Sequence, residues 1–312
     1  MSAGPDHSKL AWIDAYLAYL QGERQLSPHT VAAYQRDLQE LATLSGNQDW
    51  PQLDQFAIRR LAAKLHAHDL DPRSIARKLS SWRGFFGWLG GKVALAANPV
   101  QGVRAPKRAK TLPRALSVDD AVQLVDPPRP PAGNGADPAR LCNRAMFELL
   151  YSSGLRVSEL AGLDRTPAKA ALGWVDVGNR EVTVTGKGSK RRTVPVGAAA
   201  LEALQAWLAV RPAPSDGSDA LFLSARGTRV SPRVIQQRLQ AHGVANGAPV
   251  HVHPHMLRHS FASHVLQSSG DLRAVQDMLG HASISSTQVY TALDFQRLAE
   301  VYDKAHPRAK VK

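Results

Sequence analysis

Between Arg104 and Ser117 the chain reads RAPKRAKTLPRALS, with five basic residues, two prolines and no acid. Each proline fixes φ and removes a backbone donor, so neither a helix interior nor a central strand runs through it. The stretch divides the chain into residues 1–103, a basic linker at 104–116 and residues 117–312. A chain of 312 residues is also too long for one comfortable hydrophobic core, and two domains are expected.

Residues 1–103 carry helical periodicity almost throughout. In HSKLAWIDAYLAYLQGE, Leu10, Ile13, Leu17 and Leu20 recur at helical spacing, and Gly22 can stop the helix. LSPHTVAAYQRDLQELATL offers Ser27 as cap and Pro28 at the first helical position, with Val31, Tyr34, Leu38 and Leu41 along one face. LDQFAIRRLAAKLHAH and DPRSIARKLSSWRGFFGWLG continue the pattern, giving a bundle of about four helices. Arg36, Arg59, Arg60, Lys64, Arg73, Arg77, Lys78 and Arg83 are expected on its polar faces.

The remainder reads as mainly helical with a small β element. Ser117 and Asp120 form a capping box that opens it. In EVTVTGKGSKRRTVPV, Val182 and Val184 alternate with polar residues, as do Val194 and Val196 beyond a glycine-containing turn, which reads as a hairpin. The superficially phosphate-loop-like GKGSK fails the Walker pattern, because Glu181 replaces the first glycine and Gly188 the Ser/Thr. Helices follow at AALEALQAWLAV, SPRVIQQRLQAHG, HPHMLRHSFASHVL and DLRAVQDML, the last capped by Asp271 and stopped at Gly280.

Charge narrows the class of partner. Thirty-nine Lys and Arg against 26 Asp and Glu leave a net charge of +13, which suits a polyanion, nucleic acid first among them. The linker's charge suits a strap along a DNA backbone, so Lys107, Arg108 and Lys110 join Arg36, Arg73 and Arg77 as candidate DNA contacts. No apolar run is long enough to span a bilayer, and the N-terminus lacks the layout of a signal peptide. The single cysteine, Cys142, fits a reducing compartment, so a cytoplasmic location without membrane association is expected.

Each residue that could do chemistry has a plainer role available. Arg156 could pair with Glu159 or Glu148, and Lys187 could be a solvated turn lysine. His255 and His259 stand four apart on a helix, but Met256 occupies the place of a metalloprotease glutamate, and no metal or cofactor is expected. Tyr290, in SSTQVYTALD, could be a core side chain. Together they suit metal-free cleavage of a DNA phosphodiester. Arginines match phosphate geometry, histidines add donors or accept a proton, a hairpin lysine reaches the leaving oxygen, and a phenolate attacks.

Arg156, Lys187, HMLRH, LGH and Tyr290 occur in an order, and over nearly the whole chain, that resembles the tyrosine recombinase (lambda-integrase-type) family. The resemblance implies a SAM-like N-terminal core-binding domain and a C-terminal catalytic domain. Tyr290 would be the nucleophile, Arg156 and Arg258 the phosphate clamp, and Lys187 the general acid. His255 and His281 would complete the pocket, with Glu159 supporting Arg156. The tail LDFQRLAEVYDKAHPRAK resembles the chromosome-dimer-resolving branch of the family. That implies double-stranded DNA with a dif-type site, a XerD-type partner in a heterotetrameric synapse, and control by a septal DNA translocase. An integrase of phage or integron type, a type IB topoisomerase and an inactive DNA-binding module are the alternatives. In the family such a tail docks on a neighbouring protomer, whereas Leu298, Val301 and Tyr302 equally suit packing within one chain. The segment DRTPAKAALGWVDV is longer than the usual family connection. It is expected as a surface loop, and it leaves Lys190 as the alternative to Lys187.

Overall fold

The computed structural model describes residues 9–107, 115–126, 137–186, 190–248, 250, 252–280 and 292–310. The chain divides into two compact units, Met1–Thr111 and Leu112–Lys312, with the division inside the basic stretch. Both ends of that stretch are anchored: Val103 and Ala105 pack on the first unit's core, and Leu116 is buried in the second's.

The first unit consists of helices α1 (Lys9–Gly22), α2 (Pro28–Leu44), α3 (Gln55–Ala67) and α4 (Pro72–Leu89), with a 3-10 turn at Trp50–Gln52. Caps set the helix starts. The side chains of Ser27, Asp54 and Asp71 accept from the N–H groups of Thr30, Ala57 and Arg73, and proline occupies the first position of α2 and α4. Ile13, Leu38, Leu41, Ile58, Ile75, Trp82, Phe85 and Phe86 fill the core. The expected stripe of α1 is corrected at its start, because Leu10 is 55% exposed while Tyr16 is buried. Lys78 is also corrected, from polar face to interior. It reaches Asp37 at 3.3 Å and pairs with Glu40, which offsets the cost of burying its ammonium. The indole N–H of Trp82 donates to the Asp37 carbonyl at 2.9 Å.

The second unit wraps helices around a small sheet. Its helices are α5 (Val118–Val125), α6 (Pro138–Ser152), α7 (Val157–Ala161), α8 (Ala198–Val210), α9 (Pro232–Ala245), α10 (Pro254–Ser269), α11 (Leu272–Leu279) and α12 (Ala292–Ala305). Strands β1 (Leu163–Asp164), β2 (Gly173–Asp176), β3 (Glu181–Thr185) and β4 (Arg191–Pro195) lie in the order β1-β2-β3-β4. The predicted hairpin is β3–β4, with Val182 opposite Val194. DRTPAKAALGWVDV is only partly a surface loop, since its GWVD adds β2 antiparallel to β3 and parallel to β1.

Leu257, Phe261 and Val265 of α10 are fully buried, as their spacing predicts. Phe261 packs so closely on the α6–α7 turn that only glycine serves at Gly154. There φ is +56°, and a Cβ would lie 2.4 Å from the Phe261 ring. The tail packs within its own chain. Tyr302 is fully buried and lies 2.6 Å from Ser152 Oγ, and the ring of His306 stacks on it with centroids 4.9 Å apart. Burial pushes His306 down to about 3, so the ring is neutral at physiological pH. Arg308 then donates to the carboxylates of Glu148, which is fully buried, and Asp126.

Arg308→Ala strands the Glu148 carboxyl without its cation, a loss of about 3 kcal/mol for a broken buried pair. The expected result is roughly 100-fold faster amide hydrogen exchange across α12 in the variant, since local opening sets exchange. Unchanged exchange would show that the tail is held by its apolar contacts alone.

Candidate active site

Three elements meet at one carboxylate. The α6–α7 turn delivers Arg156 at the N-cap of α7, and Glu159 follows within its first turn. The backbone N–H of Arg156 donates to Glu159 Oε2 at 2.8 Å, and Arg156 Nη1 donates to Oε1 at 2.8 Å. Of the two ion-pair partners open to Arg156 in the sequence, the fold selects Glu159, while Glu148 belongs to Arg308.

Strand β4 brings Arg192 to the other side of the carboxylate. Its Nη1 and Nη2 donate to Glu159 Oε1 and Oε2, both at 2.7 Å, and its Nε donates to the Met278 carbonyl at 3.0 Å. Burial alone would raise the Glu159 carboxyl, but the hydrogen bonds and charge of Arg192, joined by Arg156, hold it below its ordinary value.

Helix α10 supplies Arg258, which is 8% exposed. Its Nη1 donates to the Gly154 carbonyl at 2.6 Å and its Nη2 to the Leu279 carbonyl at 2.7 Å. Burial, followed by the nearby charges of Arg156 and Arg192, lowers its pKa to about 10. Arg258 therefore stays charged at neutral pH in a setting that resists further positive charge. Three guanidiniums around one carboxylate leave two positive charges uncompensated within the cluster, an arrangement suited to an anion.

The remaining predicted residues divide into those placed near the cluster and those outside the described residues. His255 stands exposed in the first turn of α10, one turn before Arg258, with its ring 6.4 Å from that of His253. Lys187, His281 and Tyr290 lie outside the described residues, as do Arg108 and Lys110. Their chain neighbours are described. Gly186 precedes Lys187, and a Cβ on it would lie 3.5 Å from Arg192 Nη1 and 3.9 Å from Glu159 Oε1. Gly280 precedes His281 in the left-handed conformation at φ +63°, where a Cβ would lie 2.9 Å from Arg192 Cδ. Lys190 is exposed at the start of the returning strand, and its carbonyl accepts from the Gly186 N–H at 2.8 Å.

Among the candidate DNA contacts, Arg36, Arg73 and Lys107 are exposed. Arg77 is exposed but paired with Asp37, and Arg83 donates to the Val103 carbonyl at 3.1 Å. The sequence reading missed Arg192. Strand parity could have found it, because Arg192 lies two residues before the inward Val194 and so faces the interior.

Residues 114–297 match the model of the phage integrase family, and residues 13–91 match that of the phage integrase N-terminal SAM-like domain. Tyrosine recombinase XerC 1 of Ralstonia nicotianae is 56% identical over 316 aligned residues, covering 96% of this chain and 94% of that one. Tyrosine recombinase XerC of Escherichia coli O157:H7 is 47% identical over 301, covering 96% and 97%. Among solved structures, the XerH recombinase bound to difH substrate in a pre-cleavage complex has a TM-score of 0.65 at 20% identity, covering 97% of both chains. A lambda integrase dimer bound to a COC' core site has a TM-score of 0.67 at 16% identity, covering 90% and 99%. Both structures share the fold: a helical SAM-like unit followed by a mainly helical catalytic unit with a small sheet. The chain belongs to the phage integrase family of tyrosine recombinases, and it is a site-specific DNA recombinase.

Proposed function

We propose that the guanidinium cluster around Glu159 binds the scissile phosphate and that Tyr290 cleaves the strand there. The observation that carries this reading is the convergence of Arg156 and Arg258, far apart in sequence, with positive charge in excess. A phosphodiester brings one negative charge and an attacking phenolate a second, and the cluster's excess offsets both in the transition state.

In the forward step Tyr290 Oη forms a bond to phosphorus and the bond to the 5′ oxygen breaks. The phenol's proton passes to a neighbouring base, for which His255 and His281 are the candidates. Lys187 donates a proton to the departing 5′ oxygen. The product is a 3′-phosphotyrosyl link and a free 5′ hydroxyl. Attack on that link by a 5′ hydroxyl from another strand reverses the step, making one phosphodiester for each one broken. The reaction therefore needs no ATP.

The assigned biology is resolution of chromosome dimers at a dif-type site in the cytoplasm. The synapse would be a heterotetramer with a XerD-type recombinase, controlled by a septal DNA translocase. The support is full-length similarity to XerC recombinases, the fold shared with XerH on difH DNA, and the absence among the described residues of any helix long and apolar enough to cross a membrane. In such a synapse the surface that holds this chain's own tail would accept a neighbour's. Arg36, Arg73, Lys107, Arg108 and Lys110 are assigned to the DNA backbone, together with the unpaired donors of Arg77. They act through charge and counterion release.

On a nicked dif-type duplex, the wild type is expected to give a denaturant-resistant protein–DNA adduct. Tyr290→Phe is expected to bind that duplex normally and give none. Adduct from the variant would move the nucleophile elsewhere. Lys187→Ala should slow adduct formation about 100-fold or more, as loss of a general acid does, while Lys190→Ala should stay within a few-fold of wild type. The reverse order would assign the acid to Lys190.

A further inference from the structure

Arg192 is the most enclosed cation of the cluster, with a side chain 5% exposed. Enclosing a guanidinium is costly unless its donors are matched, so a buried arginine here must be held by specific partners. It is matched on both edges. Its two terminal nitrogens grip the two oxygens of Glu159 end-on at 2.7 Å each, and Nε holds the Met278 carbonyl at 3.0 Å. Glu159 is thereby saturated: each of its oxygens takes one bond from Arg192 and one from Arg156, through the side chain at Oε1 and the backbone at Oε2. The carboxylate has no rotational freedom left. Arg156, 35% exposed, has its remaining donors available to the open side.

The same guanidinium touches the path of two other functional segments. Its Nε bond and the Arg258 bond to Leu279 take adjacent carbonyls at the end of α11, immediately before Gly280 and His281. Gly280 has no Cβ where one would press on Arg192 Cδ. Arg192 also sits on the returning strand of the hairpin, and Gly186 at the hairpin's closing turn lies over the Arg192–Glu159 pair. One side chain therefore joins the strand, the arginine-bearing turn and the end of α11.

We propose that Arg192 is a positioning residue for strand cleavage: it does not touch DNA, and it sets Glu159, through it the Arg156 guanidinium, and the backbone that leads into His281. The proposal rests on the recombinase reading given above. A lysine in its place keeps the charge but presents a single point donor, and it cannot span both oxygens and the Met278 carbonyl together.

The test uses the full chain on a nicked dif-type duplex, with adduct formation followed under single-turnover conditions. Arg192→Lys should bind the duplex within about 3-fold of wild type and cleave roughly 100-fold more slowly, the scale of a small misplacement of a reacting group. Arg192→Lys combined with Glu159→Gln should be no slower than the slower single variant, because both disturb one unit. Penalties that multiply would overturn the proposed route through Glu159. A substrate with a neutral methylphosphonate at the scissile position separates positioning from folding. There the Arg156 charge has less to stabilise, and the Arg192→Lys penalty should shrink to about 10-fold or less. An equal penalty on both substrates would make Arg192 a folding residue and overturn the proposal, as would cleavage at the wild-type rate. A wild type that forms no adduct at all overturns the recombinase reading, and this inference with it.

Discussion

The arginine cluster of the second unit is organised by one buried carboxylate. Glu159 is hidden from water, yet it is ionised because Arg192 grips both its oxygens and Arg156 adds two more donors. A buried pair of this kind is weak as a source of stability, since desolvating the charges cancels most of their attraction. Its value lies in direction. With Glu159 saturated, Arg156 is tethered at both backbone and side chain, and the surplus positive charge lies close enough to Arg258 to lower its pKa rather than being neutralised pairwise.

Two glycines make that arrangement sterically possible. Gly154 turns the chain between α6 and α7 beneath the Phe261 ring, so its carbonyl reaches Arg258 and Arg156 follows two residues later. Gly280 ends α11 in a left-handed conformation against Arg192, with the helix's last carbonyls taken by two arginines instead of solvent. A helix C-terminus carries partial negative charge, so guanidiniums bonded to its last carbonyls are also favourably placed. The same turn that terminates α11 thus sets where the chain enters the segment carrying His281 and Tyr290.

Much of this was legible from residue order. Caps and proline placement located the starts of α2, α5 and α11, because those signals act within one turn of chain. Periodicity was less reliable where burial depends on a partner. Leu10 fits the stripe of α1 but projects past the bundle, and Lys78 is interior only because Asp37 and Glu40 arrive from α2. Strands β1 and β2 were not foreseen, since two and four residues of mixed burial form a sheet only when β3 is beside them. In the site, the order of chemical residues pointed to Arg156 and Arg258, whose chemistry matches phosphate. Arg192 stands outside that order; strand parity turns it inward, but its bond to the Met278 carbonyl depends on tertiary placement that no spacing rule encodes. The disposition of the tail was equally hidden, because Leu298 and Tyr302 would look the same docked on either chain.

The central claim is that the charge cluster serves a tyrosine nucleophile at position 290. The most direct measurement is mass spectrometry of the trapped adduct after nuclease trimming and tryptic digestion. Cleavage after Arg273 and Arg297 releases a peptide, Ala274–Arg297, in which Tyr290 is the only tyrosine, and Tyr302 falls in the next peptide. The nucleotide mass is predicted on Ala274–Arg297, with fragmentation placing it on Tyr290. Tyr302 is fully buried, held near the Ser152 hydroxyl, and its phenol is pushed well above the ordinary range by burial. Nucleotide on the Tyr302 peptide, or on a serine or threonine, would contradict the account.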